Sequence, residues 1–262
     1  MIIIGERINA SRDPIQKALQ GKNCAFIQHE AKAQLEHGAS YLDINCGLSH
    51  DTEADDMEWL VHTIREVSDA PLCIDSPNPD VIERGVAAAS GRPLINSITA
   101  QESRYKKILP IALKHNCGMI ALTMDEKGMP ETADDRLEIA EKLYRILKKE
   151  GVQDSDIFFD PLVRPISSEP RQAEELLKAI PKIKALGNVQ IACGVSNISY
   201  GLPRRKLVNS IFLSMALCAG LDGALIDPLD KGMIAAIRAT DALLARDRYC
   251  MNFIQGHRKG LF

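Results

Sequence analysis

Ile2-Ile3-Ile4-Gly5-Glu6-Arg7-Ile8-Asn9 begins with three β-branched residues and runs at once into polar ones. A short β-branched run of this kind reads as a buried strand. The residues after it separate two folds. An open doubly wound sheet that binds a dinucleotide wants G-x-G-x-x-G after its first strand, where glycines let the backbone approach a pyrophosphate. Gly5-Glu6-Arg7-Ile8-Asn9 is not that motif, and no G-x-x-x-x-G-K-[ST] occurs. Counting Ile2–Ile4, eight such runs recur: Tyr41–Ile44, Pro71–Ile74, Pro93–Ile95, Met119–Leu122, Ile157–Phe159, Val189–Ala192 and Gly223–Ile226 complete the set. None alternates apolar with polar, so each reads as covered on both faces, as parallel strands are.

The segments between these runs have helical period. In Ala133–Lys149, Leu137, Ala140, Leu143, Tyr144 and Leu147 share a stripe. Thr132 suits its N-cap, Asp134 and Asp135 its positive end, Lys148 and Lys149 its negative end, and Gly151 its stop. Ala54–Ser68, Gln101–His115 and Leu207–Gly220 follow the same logic, whereas Gln172–Leu186 contains Pro181 and is expected to kink or divide there. Eight strands alternating with helices in 262 residues predict an α/β fold of the (β/α)8 TIM-barrel type, one domain spanning residues 1–262. An open doubly wound sheet is the alternative.

Composition bounds the function. With 45% hydrophobic and 26% charged residues, the chain is ordinary for a globular protein, and its net charge of −3 gives no basic surface for nucleic acid. No apolar run approaches the roughly 20 residues that span a bilayer, and the apolar start is short for a secretory h-region and followed at once by charge, so the expected location is the cytoplasm. The seven cysteines are scattered with no C-x-x-C, and the six histidines have no H-E-x-x-H spacing, so no bound metal is expected.

Polar residues recur at the strand ends. Glu6, Arg7 and Asn9 follow the first strand, Asp43 and Asn45 end the second, and Asp75-Ser76 the third. Asn96-Ser97 ends the fourth, Thr123 the fifth, Asp160-Pro161 the sixth, Gly194-Val195-Ser196-Asn197 the seventh and Asp227 the eighth. Singly, an Asp or Asn here starts a turn or caps a helix. Together, on a barrel, they form a ring of amides and carboxylates at the C-terminal mouth, where such folds place their sites. Amides and carboxylates pair in bidentate fashion with a flat heterocycle bearing adjacent donors and acceptors. A phosphosugar site would want glycine-rich backbone and Lys or Arg at the late strands. Gly194, Gly201, Arg204 and Arg205 supply only part of that.

These stretches carry a resemblance. Ile-Ile-Gly-Glu-Arg-Ile-Asn at 3–9, Leu-Asp-Ile-Asn-Cys-Gly at 42–47, Cys-Ile-Asp-Ser at 73–76, Leu-Ile-Asn-Ser at 94–97 and Phe-Asp-Pro-Leu at 159–162 resemble the pterin-binding methyltransferases. The most specific stretch, Gly194–Pro203, looks like that of methyltetrahydrofolate:corrinoid methyltransferases and of the folate-binding domain of cobalamin-dependent methionine synthase. The likeness runs from Ile2 to about Tyr249, and dihydropteroate synthase is a more distant relative on the same barrel. It implies methyl transfer between N5 of tetrahydrofolate or 5-methyltetrahydrofolate and a corrinoid (cobalamin). The chain lacks the D-x-H-x-x-G signature of corrinoid-carrying domains, so the corrinoid is expected on a partner protein. A homodimer is also implied.

Residue by residue, the resemblance implies that Asp75, Asn96 and Asp160 hydrogen-bond the pterin, with Asp160 at its amino-pyrimidine edge. Asn197 matches the mobile asparagine near N5, and Asn197 and Asp160 are the implied catalytic pair. Asp43 and Asn45 match the second strand end, Gly194 and Ser196 line the same mouth, and Arg205 lies near the folate tail. Two rivals remain. Dihydropteroate synthase chemistry wants a late Lys and a basic anion site, where this chain has Gly-Val-Ser-Asn. A non-catalytic folate-binding subunit would need no complete set of strand-end polar residues.

Overall fold

The computed structural model describes residues 1–47 and 52–262. Its strands are β1 (Ile2–Asn9), β2 (Tyr41–Asn45), β3 (Leu72–Asp75), β4 (Leu94–Thr99), β5 (Gly118–Leu122), β6 (Ile157–Asp160), β7 (Gln190–Gly194) and β8 (Gly223–Ile226). All neighbours pair in parallel, and β8 returns to β1, closing the barrel. The open-sheet alternative is thereby excluded. The helices are α1 (Asp13–Gln20), α2 (Cys24–Glu36), α3 (Glu53–Arg65), α4 (Pro79–Ala88) and α5 (Glu102–Lys114), followed by α6 (Ala133–Lys149), α7 (Gln172–Lys184), α8 (Arg205–Ala219), α9 (Lys231–Leu243) and α10 (Met251–Arg258).

Two apolar layers hold the barrel. Inside it, Ile4, Cys73, Leu94, Ile120, Phe158 and Ala192 form a plug contributed by six strands. Outside it, the opposite faces of the strands meet the helices, as Ile44, Ile74 and Ile95 do with Leu60, Val86 and Ile108. Each such fully buried aliphatic side chain contributes about 1.5–3 kcal/mol. Gly5 permits the close approach of α2: a Cβ there would lie 2.4 Å from Gln34 Oε1, which accepts the Arg7 backbone N–H at 3.1 Å.

Local chemistry sets the helix ends. Thr132 Oγ1 accepts from Asp135 N, and Asp135 accepts from Thr132 N, a reciprocal cap at the start of α6. Asn23, Asn78 and Asp230 cap α2, α4 and α9 in the simpler way.

Two expectations need correction. The helix over Gln172–Lys184 does not divide at Pro181. Pro181 stands in the last turn with its ring in solvent, where one missing backbone bond is cheaply lost, and α5 likewise carries Pro110. The first and fourth strands also run past their apolar stretches. Glu6 and Arg7 lie within β1, and Asn96 and Ser97 within β4, each at a slip of register against the next strand. Such bulges re-aim side chains at barrel rims, so both polar pairs belong to the wall of the mouth.

Candidate functional site

The strand ends enclose an open hollow of about 410 Å³, lined by Glu6, Asn9, Asp43, Asp75, Asn96, Ser196 and Asn197 with Ser11, Arg12 and Leu225. This size lies in the range of small-molecule sites, about 300–1,000 Å³. Asp75, Asn96 and Asn197, from β3, β4 and the turn after β7, therefore meet on one surface. A larger hollow of about 510 Å³ lies outside the mouth, between residues 125–131 and α6. It draws on one β–α unit only, so the convergence of strand ends favours the mouth.

The amides of the hollow are ordered by carboxylates. Asn96 Nδ2 donates to Asp43 Oδ1 at 3.1 Å, and Asn45 Nδ2 donates to Asp75 Oδ2 at 3.1 Å. Asn45 Oδ1 accepts from the Gly47 backbone N–H at 3.1 Å, so both ends of this amide are engaged. With one N–H of Asn96 given to Asp43, the Asn96 oxygen and the carboxyl groups of Asp43 and Asp75 line the hollow as acceptors. Burial and the neighbouring Asp75 push the Asp43 carboxyl well above the usual carboxylate range, against hydrogen bonds from Cys73 and Asn96. Asp75 is raised too, chiefly by burial. Such a cluster suits a ligand that brings N–H donors.

Asp160, at the end of β6 and 8% exposed, is not among the residues lining this hollow. Its Oδ1 accepts from the Leu162 backbone N–H at 2.7 Å. Burial raises its carboxyl to about 7, against the pull of the Leu162 and Gly194 backbone N–H groups and of Arg136. The loop after it is held by Arg136, fully buried on α6, which donates to Pro161 O at 2.7 Å, Leu162 O at 3.2 Å and Gln172 Oε1 at 2.8 Å. It also reaches Glu131 O and Thr132 O. Leu162 adopts a left-handed backbone, φ 60°. Gly194, beside Asp160, has an ordinary φ of −77°, and a Cβ there would meet nothing within 4 Å. Packing does not require this glycine.

Asn197 is exposed on the short 3-10 turn Val195–Ser199, and its side chain makes no hydrogen bond among the described residues. Arg205 does not line the hollow. Its Nη2 donates to Ser196 O at 2.8 Å and its Nε to Ser199 Oγ at 3.1 Å, so it fastens the turn that carries Asn197. Asp227 is occupied by Arg7 at 2.9 Å, while Arg7 grips Glu30 with two further N–H groups. Ser11, Arg12 and Leu225 reach the hollow without any signal in the sequence. Ser11 and Arg12 stand just before α1, and Leu225 lies within β8.

The pterin binding enzyme family model matches residues 5–227. The chain is 34% identical to the methylcorrinoid:tetrahydrofolate methyltransferase of Eubacterium limosum, across 99% of this chain and 97% of that protein. It is 32% identical to the methionine synthase of Mycobacterium tuberculosis, across 86% of this chain but 20% of that longer protein. Among solved structures, the dihydropteroate synthase of Xanthomonas albilineans in complex with 7,8-dihydropteroate superposes with a TM-score of 0.71 at 16% identity, covering 93% of each chain. That of Yersinia pestis gives 0.69 at 17% identity, covering 93% of this chain and 94% of the other. At such identities the structural likeness speaks for the fold alone. With a family match over most of its length and a full-length relative above 30% identity, the chain belongs to the pterin binding enzyme family.

Proposed function

We propose that the protein is a methyltransferase that moves a methyl group between N5 of tetrahydrofolate and the cobalt of a corrinoid carried by a partner protein. The meeting of Asp75, Asn96 and Asn197 in one acceptor-rich hollow carries this reading. The full-length likeness to a methylcorrinoid:tetrahydrofolate methyltransferase supports the choice of reaction. Asp75, Asn96 and Asp160 hold the pterin ring, with Asp160 at the amino-pyrimidine edge. Asp43, Asn45, Gly194 and Ser196 shape the wall, and Arg205 acts through the Asn197 turn.

The corrinoid supplies the cobalt centre that gives or takes the methyl group. The chain's task is to bind the pterin, present N5 at the mouth and accommodate its change of charge. A neutral amide suits this, because it donates or accepts according to the state of N5. Asn197, exposed and without a fixed partner, is placed to do so. A corrin macrocycle is far larger than the hollow, so the partner approaches the mouth from outside. The same residues serve either direction of transfer.

A homodimer is part of this reading. Leu207, Ile211 and Met215 are 46%, 54% and 48% exposed, one turn apart on α8, an apolar stripe suited to a second copy.

The test is optical. The protein is mixed with methylcobalamin and tetrahydrofolate, and separately with cob(I)alamin and methyltetrahydrofolate, while the corrinoid spectrum is followed. Protein-dependent conversion is expected in both, and the faster mixture names the favoured direction. No conversion in either would refute the reading.

A further inference from the structure

Five carboxyl groups stand around the mouth, and four of them are held. Asp43 accepts from Asn96, Asp75 from Asn45, and Asp160 from the Leu162 backbone. Asp227 accepts from Arg7 and from the Leu229 backbone, each at 2.9 Å. The fifth, Glu6, meets no hydrogen-bond donor among the described residues. It lines the main hollow together with Asn197, and also a smaller one of about 90 Å³ alongside, bounded by Ser196, Asn209 and Asp227. The nearby cations are engaged elsewhere: Arg7 lies between Glu30 and Asp227, and Arg12 approaches Asp227 at 3.6 Å.

Methyl transfer at N5 moves a proton as well as a carbon. When tetrahydrofolate is methylated, the N5–C bond forms and the cobalt–carbon bond breaks with its electron pair left on cobalt. The proton on N5 must then leave. In the opposite direction the N5–C bond breaks, its pair stays on nitrogen, and a proton must arrive. Asn197 is a neutral amide and cannot keep that proton. The other carboxyl groups each already accept a hydrogen bond within the protein, whereas Glu6 is left without a protein donor among the described residues and free to meet the ligand's proton.

We propose that Glu6 is the group that takes the N5 proton when a methyl group moves onto the folate and returns it when the methyl group leaves. This rests on the methyl-transfer reading above and adds to it a residue with a defined part. Burial and the charge of Asp227 raise the Glu6 carboxyl to about 7, against Arg12, so both its forms are populated near neutral pH. The charged groups facing it are Asp227 from β8, Arg12 ahead of α1 and Asp43 from β2. Lys206 and Asp230 stand on the far wall of the smaller hollow.

Two measurements test this on the full chain, compared with Glu6→Gln and Glu6→Asp. The first is calorimetry of tetrahydrofolate binding at pH 7 in buffers of different ionisation enthalpy, which counts protons released. A Glu6 carboxylate accepting from N5–H sheds its proton on binding. A group at about 7 is half protonated there, so wild type should release up to about half a proton more than Glu6→Gln. Any proton from Asp160 is common to both. The second is the rate of tetrahydrofolate methylation by methylcobalamin from pH 5.5 to 8.5. The wild-type rate should rise through about pH 7. Glu6→Gln should lose that limb and fall at least ~10-fold, and Glu6→Asp should recover part of both. Equal proton release, or an unchanged rate and pH limb in Glu6→Gln, would overturn the part given to Glu6 alone. Wild-type binding of tetrahydrofolate with no methyl transfer would overturn the reaction itself, and Glu6's part with it.

Discussion

Asp160→Asn removes a carboxyl that burial raises from an ordinary 3.8 to about 7. In the unfolded chain the proton leaves near pH 4, and in the folded chain it stays until about pH 7. Between those values the folded state holds the extra proton. This group's contribution to stability is therefore complete below pH 4, falls as pH rises through the window, and is lost above pH 7. The gap, at roughly 1.4 kcal/mol for each pH unit, amounts to roughly 4 kcal/mol. An amide escapes that cost, but it has one acceptor oxygen where the carboxyl has two. Serving the Leu162 and Gly194 backbone N–H groups with one oxygen forfeits about 1 kcal/mol. The variant should thus be about 3 kcal/mol more stable than wild type at pH 8 and within about 1 kcal/mol of it at pH 5. Urea unfolding followed by circular dichroism at the two pH values measures the difference. A variant no more stable than wild type at pH 8, or an offset that ignores pH, would refute the account of this carboxyl. The same variant should bind tetrahydrofolate at least ~10-fold more weakly, since a ligand's N–H donors reward the carboxylate and not the amide.

Asn197→Ala should lower methyl transfer at least ~10-fold while shifting stability by no more than about 0.5 kcal/mol, because the side chain is exposed and unbonded; stopped-flow spectra and thermal melts report the two effects. Arg136→Met should destabilise the fold by about 3–5 kcal/mol by stranding the Pro161 and Leu162 carbonyls and the Gln172 amide oxygen, and should weaken folate binding through the loop after Asp160; chemical denaturation and calorimetry check both. Ile211→Glu should convert the proposed α8-paired dimer to monomers with the barrel intact, which sedimentation velocity decides.

The fold was legible because eight short apolar runs alternate with segments of helical period, and each strand lies within a few residues of its expected position. What the apolar pattern could not reveal was how far the first and fourth strands continue, since Glu6-Arg7 and Asn96-Ser97 look like loop residues until a bulge places them in the wall. Pro181 read as a break because sequence alone does not say that it faces solvent in a last turn. In the site, Asp75, Asn96 and Asn197 were visible as strand-end polar residues, whereas the bonds of Arg205 to Ser196 and Ser199 were not: a cation near a mouth says nothing of whether its donors are free. Arg136 escaped notice for the opposite reason. A charged residue within a helix reads as surface, and only the fold shows its guanidinium gathering five oxygens beneath the loop after β6.

The exposure of Asn197 has a consequence for when this site becomes effective. In contact with bulk water, a hydrogen bond to a nitrogen that is gaining or losing charge is weakened by the high dielectric around it. On the proposed reading, the barrel by itself offers a docking platform with dilute electrostatics, and the medium around N5 turns apolar only once another surface covers it. A protein-borne corrinoid brings both the cobalt and that surface, whereas free cobalamin brings the metal with most of the water still present. The difference between their rates would measure how much of the catalyst resides in the act of assembly.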